Sequence, residues 1–304
     1  MGAFHCPVGA LGYDSDGCIN CGMCIAKTEQ ERFDASNIIR EYLRNNVCIR
    51  KDRKIRKIAV CGKGGVGKST FAALLAMSLE EYGYKILLID TDDSNMGLYR
   101  KIGVMKQPKQ VYKAGNCDEN YWAKKDPLMI DDIPEEHIEK NGNISIIGIG
   151  KIVDSFQGCA CDSMELARQL VLNLKPKDDE IIISDSEAGL ESFGRGVEQG
   201  CDTIITVVEP SFESIEMSNT MQYMAEGFGI TRIHCVVSKA FDQQEADFII
   251  DELNDKDIKY LGAIFMDKTV SKANLLGTDL RETDTYSIVK ELTKLLLDEA
   301  EMKY

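Results

Sequence analysis

Residues 62–70 read GKGGVGKST. Gly62 to Ser69 fit the phosphate-binding loop pattern G-x-x-x-x-G-K-[ST]. The segment before the loop, KIAVC (57–61), is short, apolar and bounded by lysines, which predicts a buried strand. The segment after it, STFAALLAMSLEEYG, repeats apolar residues at helical spacing and stops at Gly83. Strand, glycine loop and helix in that order are the context in which backbone N–H groups and a helix N-terminus face a phosphate chain. Gly62, Gly64, Gly65, Val66, Gly67, Lys68, Ser69 and Thr70 are therefore the expected nucleotide contacts. Lys68 is expected on the β- and γ-phosphates and Ser69 on Mg²⁺.

Working outward, β-branched apolar runs alternate with helical patterns. Further strands are predicted at 85–90, 144–149, 180–185, 203–208, 233–238 and 258–265. Helices are predicted at 162–174, 211–228, 243–254 and 285–300. The alternation implies a doubly wound α/β fold with a mostly parallel sheet, its ligand at the carboxyl ends of the strands. Residues 105–143 show no clear period and read as a long surface excursion. RKDRKIRK, residues 50–57, reads as a solvated basic linker between an N-terminal segment (1–50, with a short helix) and the ATPase domain (51–304).

The chain has 304 residues, 44% hydrophobic and 28% charged, with a formal net charge of −14. That balance argues against nonspecific nucleic-acid binding and against an anionic membrane surface. No apolar run is long enough to span a bilayer, and the N-terminus lacks the basic-then-apolar pattern of a secretory signal, so a cytoplasmic protein is expected. Eleven cysteines in such a chain point to metal or redox chemistry rather than disulfides.

A second lysine, Lys63, follows the first glycine of the loop, where an ordinary phosphate loop needs no charge. In this the chain resembles the deviant Walker ATPases, which include the nitrogenase iron protein, MinD, ParA and the CooC-type nickel ATPases. The resemblance implies that Lys63 reaches the partner's nucleotide across a homodimer. It also implies that an aspartate after the second strand positions the attacking water, Asp92 first and Asp90 second. Acidic residues capping a turn are the alternative. Asp185 ends strand EIIISD where a Walker B aspartate stands, and an acid there reaches Mg²⁺ through water.

The run after Asp185 is similar to the CooC-type pattern D-x-E-A-G-x-E-x-x-G-R-G through Glu187, Ala188, Gly189, Glu191, Gly194, Arg195 and Gly196. Ser238-Lys239 stands where family members usually carry Asn-Lys beside the base. ATP remains the expected nucleotide, with GTP disfavoured.

Two thiolate sites are expected. Cys159-Ala160-Cys161 leads into a helix, and two such pairs across a dimer would supply four sulfurs. The CooC-type resemblance places a Cys-x-Cys there; Ni²⁺, Zn²⁺ or a bridging 4Fe–4S cluster are all open as its cargo. Cys18, Cys21 and Cys24 form C-x₂-C-x₂-C, with Cys6-Pro7 upstream, and the segment looks like half of a two-cluster ferredoxin. Together these four thiolates suit one 4Fe–4S cluster, with a Cys₄ zinc site as the alternative. Cys48, Cys61, Cys117, Cys201 and Cys235 read as structural.

The resemblance implies an ATP-driven maturation factor, with nickel insertion into a carbon monoxide dehydrogenase-like metalloenzyme as the leading reading. An ATP-gated electron donor, fed by the N-terminal cluster, is the second. A positioning protein of the MinD or ParA kind is disfavoured, since neither a membrane helix nor a basic DNA-binding surface is evident.

Overall fold

The computed structural model describes residues 18, 21–45, 54–92, 97–112, 122–150 and 161–301. Eight strands form one sheet: β1 (Lys57–Gly62), β2 (Lys85–Asp90), β3 (Glu139–Asn141), β4 (Ile144–Gly148), β5 (Glu180–Asp185), β6 (Thr203–Val208), β7 (Arg232–Ala240) and β8 (Tyr260–Phe265). Their order is β3-β4-β2-β5-β1-β6-β7-β8, and every pairing is parallel except β3 with β4. The doubly wound sheet expected from the alternating pattern is present.

Side-chain alternation splits the core into two layers. In β1, Ile58 and Val60 point to one face, where they meet α2 (Lys68–Glu81) and α9 (Asp284–Glu301). Ala59 and Cys61 point to the other, against α4 (Cys161–Asn173) and the residues around α6 (Phe212–Gly227). Burial on both faces explains why these strands read as continuous apolar runs.

The connecting helices start on short polar caps. Ser211 caps α6 through the Ser214 amide, and Asp242 caps α7 (Gln243–Asp255) through the Glu245 amide at 2.9 Å. The remaining helices are α3 (Leu98–Lys101), α5 (Glu191–Arg195) and α8 (Lys268–Leu276). Ahead of the sheet, α1 (Glu29–Asn45) lies on α6. Arg40 donates to the Tyr223 carbonyl at 3.3 Å, and its guanidinium sits 3.9 Å from the Tyr223 ring centroid. Met23 packs on Ala35 and Ile39 with Cys21 alongside.

Two expectations change. Much of 105–143 is integrated into the domain rather than an excursion. Val111, Trp122, Leu128 and Ile133 are buried, the Val111 amide bonds the Gly148 carbonyl at 2.9 Å, and β3 extends the sheet edge. These apolar residues join the core layer that holds Ile147 of β4 and Leu166 and Leu170 of α4. The described end of the basic linker is not a solvated hinge either. Ile55 is buried, Lys57 begins β1, and Asp202 accepts the Arg56 and Lys57 amides at 2.9 and 2.8 Å.

Candidate functional site

The phosphate loop bridges β1 and α2 at the carboxyl edge of the sheet. Gly62 has φ 145°, and a Cβ there would stand 2.4 Å from the Val207 carbonyl oxygen of β6. Only glycine lets the loop leave the strand at this point. Gly62→Ala is expected to lower unfolding stability by about 2–4 kcal/mol, read by urea denaturation, because neither backbone can yield without moving a central strand.

At the other end Gly67, with φ 103°, precedes α2 without a side-chain cap, and the helix's first turn has no acid. Its leading N–H groups and the positive end of its dipole are left for an anion. Lys68 is buried and donates to the Lys63 carbonyl at 3.2 Å, so its ammonium lies across the loop. The Lys63 ammonium points elsewhere, to Glu209 at 3.7 Å in the turn between β6 and α6.

Three carboxylates gather beside the loop. Asp90 and Asp185 end adjacent strands in register, and Asp92 follows two residues after Asp90; all three are buried. Asp185 is sealed from water, and neither oxygen has a partner of full hydrogen-bond geometry. Burial pushes its carboxyl up to about 7; the Ser69 hydroxyl and the Lys68 charge offset part of that, while Asp90 adds to it. A buried, orphaned carboxylate beside a serine hydroxyl is a donor set that suits a hydrated Mg²⁺. Thr91, between the acids, fastens the strand ends by donating its hydroxyl to the Asp185 carbonyl at 2.8 Å.

The segment after Asp185 touches the loop and then runs away from it. The Ser186 amide bonds the Val60 carbonyl at 3.0 Å, the Gly189 amide bonds the Gly62 carbonyl at 3.3 Å, and a Cβ on Gly64 would lie 3.6 Å from that of Ala188. In α5 the Arg195 guanidinium meets the Met164 sulfur at 2.7 Å. Met164 lies in the first turn of α4, the helix that Cys161 opens. A continuous set of contacts thus joins the phosphate loop to the helix behind the Cys-x-Cys motif.

Other expected residues are placed as follows. Ser238 is buried and donates its hydroxyl to the Val66 carbonyl at 2.9 Å; the Lys239 ammonium donates to the Gly65 carbonyl. Both brace the phosphate loop from β7. Lys239 itself sits at φ 60°, a left-handed conformation held by that contact. Thr70 continues α2 and accepts from Asn274 at 3.4 Å. Cys61, Cys201 and Cys235 are buried strand or turn residues whose thiols are pushed up by burial, as structural cysteines should be.

Cys18, Cys21 and Cys24 are partly exposed and form no disulfide. Among the described residues, no three His, Cys, Asp or Glu side chains converge on a metal position. Cys6 and Cys159 lie outside the described residues, and Cys161 is described by its backbone alone. Glu209 is the site residue that motif reading missed; its charge lies 146 positions from Lys63, and no local pattern signals it.

The model of the CbiA family, the CobQ/CobB/MinD/ParA nucleotide binding domain, matches residues 57–280. The chain belongs to this family. It is a P-loop ATPase whose nucleotide-binding core spans the whole sheet described above. It is 36% identical over 253 residues to an uncharacterized ATP-binding protein of Methanocaldococcus jannaschii, covering 78% of this chain and 100% of that one. It is 31% identical over 234 residues to the carbon monoxide dehydrogenase accessory protein CooC of Rhodospirillum rubrum, covering 73% of this chain and 88% of CooC. Among solved structures it is similar to the septum site-determining protein MinD of Pyrococcus horikoshii complexed with Mg-ADP, with a TM-score of 0.62 and 21% identity over 81% of this chain and 99% of that one. That likeness bears on the fold. No helix among the described residues is long and apolar enough to cross a membrane.

Proposed function

We propose that this ATPase is an accessory factor in the maturation of a carbon monoxide dehydrogenase or a related metalloenzyme, and that it delivers nickel as a nucleotide-switched homodimer. The observation that carries the reading is the contact path from Gly62 through Gly189 and α5 to Met164, because it links the phosphate loop to the helix headed by Cys159-Ala160-Cys161. The 31% identity to a protein named for that role supports the same target.

In this reading the loop amides, the α2 N-terminus and Lys68 hold the phosphates of ATP. Asp92, with Asp90 as second choice, orients the attacking water and accepts its hydrogen bond. Ser69 and Asp185 would hold Mg²⁺, which supplies charge neutralisation at the β- and γ-phosphates when bound. Ser238 and Lys239 keep the loop in register beneath the nucleotide. Loss of the γ-phosphate relaxes the Gly189 contact, and α5 passes that movement to α4. The nickel cargo is released from the paired Cys159 and Cys161 thiolates as the dimer opens.

The test is equilibrium dialysis of the full chain with Ni²⁺. About one ion per dimer is expected, lost in Cys159→Ser and Cys161→Ser, and released when ADP replaces ATP. Absence of nickel binding at micromolar metal, with an iron–sulfur cluster held at these cysteines instead, sinks the reading.

That last outcome belongs to the second reading, an ATP-gated electron donor, which the Cys6, Cys18, Cys21 and Cys24 spacing favours. In that reading Cys6, Cys18, Cys21 and Cys24 would hold the cluster, which would supply the electrons. The division into a 1–50 iron–sulfur segment and a 51–304 ATPase domain is still testable. Anaerobically purified protein should carry about four irons per chain, removed by Cys18→Ser or Cys21→Ser while ATP binding persists. Zinc without iron at these residues would overturn it.

A further inference from the structure

The sheet edge opposite the phosphate loop, where β1, β6 and β7 begin, is hollow. A cavity of about 400 Å³ opens there between these strands and the C-terminal ends of α4 and α6. That volume lies in the range of small-molecule pockets.

Its lining is basic in an acidic chain. Lys54, Arg56, Lys57, Lys175 and Arg232 face it, against a single carboxylate, Asp202. Asp202 is already engaged: its oxygens accept the Arg56 and Lys57 amides and the Thr203 hydroxyl, and the nearest guanidinium nitrogen of Arg232 stands at 3.8 Å. Arg56 is held by Asp178 and the Lys177 carbonyl. The three lysines lack such neutralisation. Lys57, only 7% exposed, donates to the Val171 and Leu172 carbonyls at 2.5 and 3.4 Å. Lys175 donates to the Leu172 carbonyl at 3.4 Å. Neither these two nor Lys54 has a carboxylate within ion-pair distance among the described residues. Leu172, Phe228 and Ile230 complete the wall with apolar surface.

Lys57 is the buried one of the three, and a buried ammonium without an ion-pair partner is costly to keep; the cost falls when an anion enters. We propose that this cavity is a second ligand site, separate from the nucleotide site, for a small organic anion: a phosphate or carboxylate group on an apolar body. The charged head would lie among Lys57, Lys175 and Arg232, and the body against Phe228 and Ile230. The 50–57 basic run thereby acquires a role, since its final residues form one side of the pocket.

Lys57 offers a signature. Burial first, then the charge of Lys175, pulls its ammonium down to about 8, while Cys201, Asp202 and Asp126 pull the other way. An anion beside it restores the proton. Binding at pH 8 should then take up roughly half a proton per ligand, which a loose association with surface lysines would not do.

The experiment is titration calorimetry at pH 8 on the full chain saturated with Mg-ADP, so that the phosphate loop is filled. The probes are inorganic phosphate, phenyl phosphate and benzoate, each in two buffers of different ionisation heat. One site per chain is expected, with the better aromatic probe binding about tenfold more tightly than inorganic phosphate. Phenyl phosphate against benzoate identifies the head group. Lys57→Met should weaken binding at least about tenfold and abolish proton uptake, and Arg232→Gln should weaken binding while leaving the uptake. Thermal melts confirm that both variants fold. No binding by any probe below millimolar concentration, or binding by both variants equal to that of the parent chain, overturns the proposal.

Discussion

Lys63→Ala should reduce ATP turnover by about a thousandfold while leaving nucleotide affinity within a few-fold of the parent chain. The magnitude is that of a cation supplied to a phosphoryl-transfer site from a neighbouring molecule. The structure explains why the ground state would be spared. The Lys63 side chain, 37% exposed, stands away from its own loop against Glu209, whereas Lys68 lies across the loop mouth. Removing Lys63 leaves the amides, the α2 N-terminus and Lys68 in place. The same substitution should abolish ATP-dependent dimerisation, checked by light scattering with a slowly hydrolysed analogue. Glu209→Gln should have the opposite tendency, since it frees Lys63 from its partner and favours closure. Unchanged turnover and an unchanged oligomeric state in Lys63→Ala would refute the reading of Lys63 as a residue acting across the dimer.

What the chain discloses before folding follows the range of each interaction. The strand, loop and helix around 62–70 are local, so turn chemistry and periodicity reveal them together. The central strands are legible because both faces are buried, which forces unbroken apolar runs. β3 is not legible: it is three residues at the sheet edge, and its pairing with β4 depends on a neighbour rather than on its own composition. The burial of Lys57 is equally hidden, because a lysine in a basic run reads as solvated until the ends of α4 close over it.

The same logic applies to the site. Asp90, Asp92 and Asp185 are recognisable because each ends or follows an apolar run. Ser238 is found at its motif position, but the bond from its hydroxyl to the Val66 carbonyl of the phosphate loop is not readable from the motif. Glu209 and the pocket cations come together from distant positions, and only the fold assembles them.

Asp185→Asn should stabilise the nucleotide-free protein at pH 8 and at the same time cost at least about a hundredfold in Mg²⁺-dependent turnover. The first half follows from burial. Asp185 has a carboxyl raised from 3.8 to about 7, so the folded chain holds a proton that the unfolded chain releases. Stability contributed by this group is therefore fully present below pH 4 and is lost as the pH rises through 7; the sign is set by the folded state binding more protons. Once ionised, a carboxyl raised that far costs the folded state about 4 kcal/mol. Glu198 and Asp202 are also raised by burial, but they remain in the variant. The quantity to measure is thus the difference between the two proteins in urea denaturation from pH 4 to 8, in chelator and without nucleotide. That difference should grow with pH in favour of Asn. Mg-ADP should shrink or reverse it, because a cation beside Asp185 compensates a carboxylate and not an amide. A difference flat in pH, or one unmoved by Mg-ADP, would show that Asp185 is not the strained acid of the metal site. The expected outcome ties instability to activity: a charge that the apoprotein carries at a loss is what the magnesium nucleotide would meet.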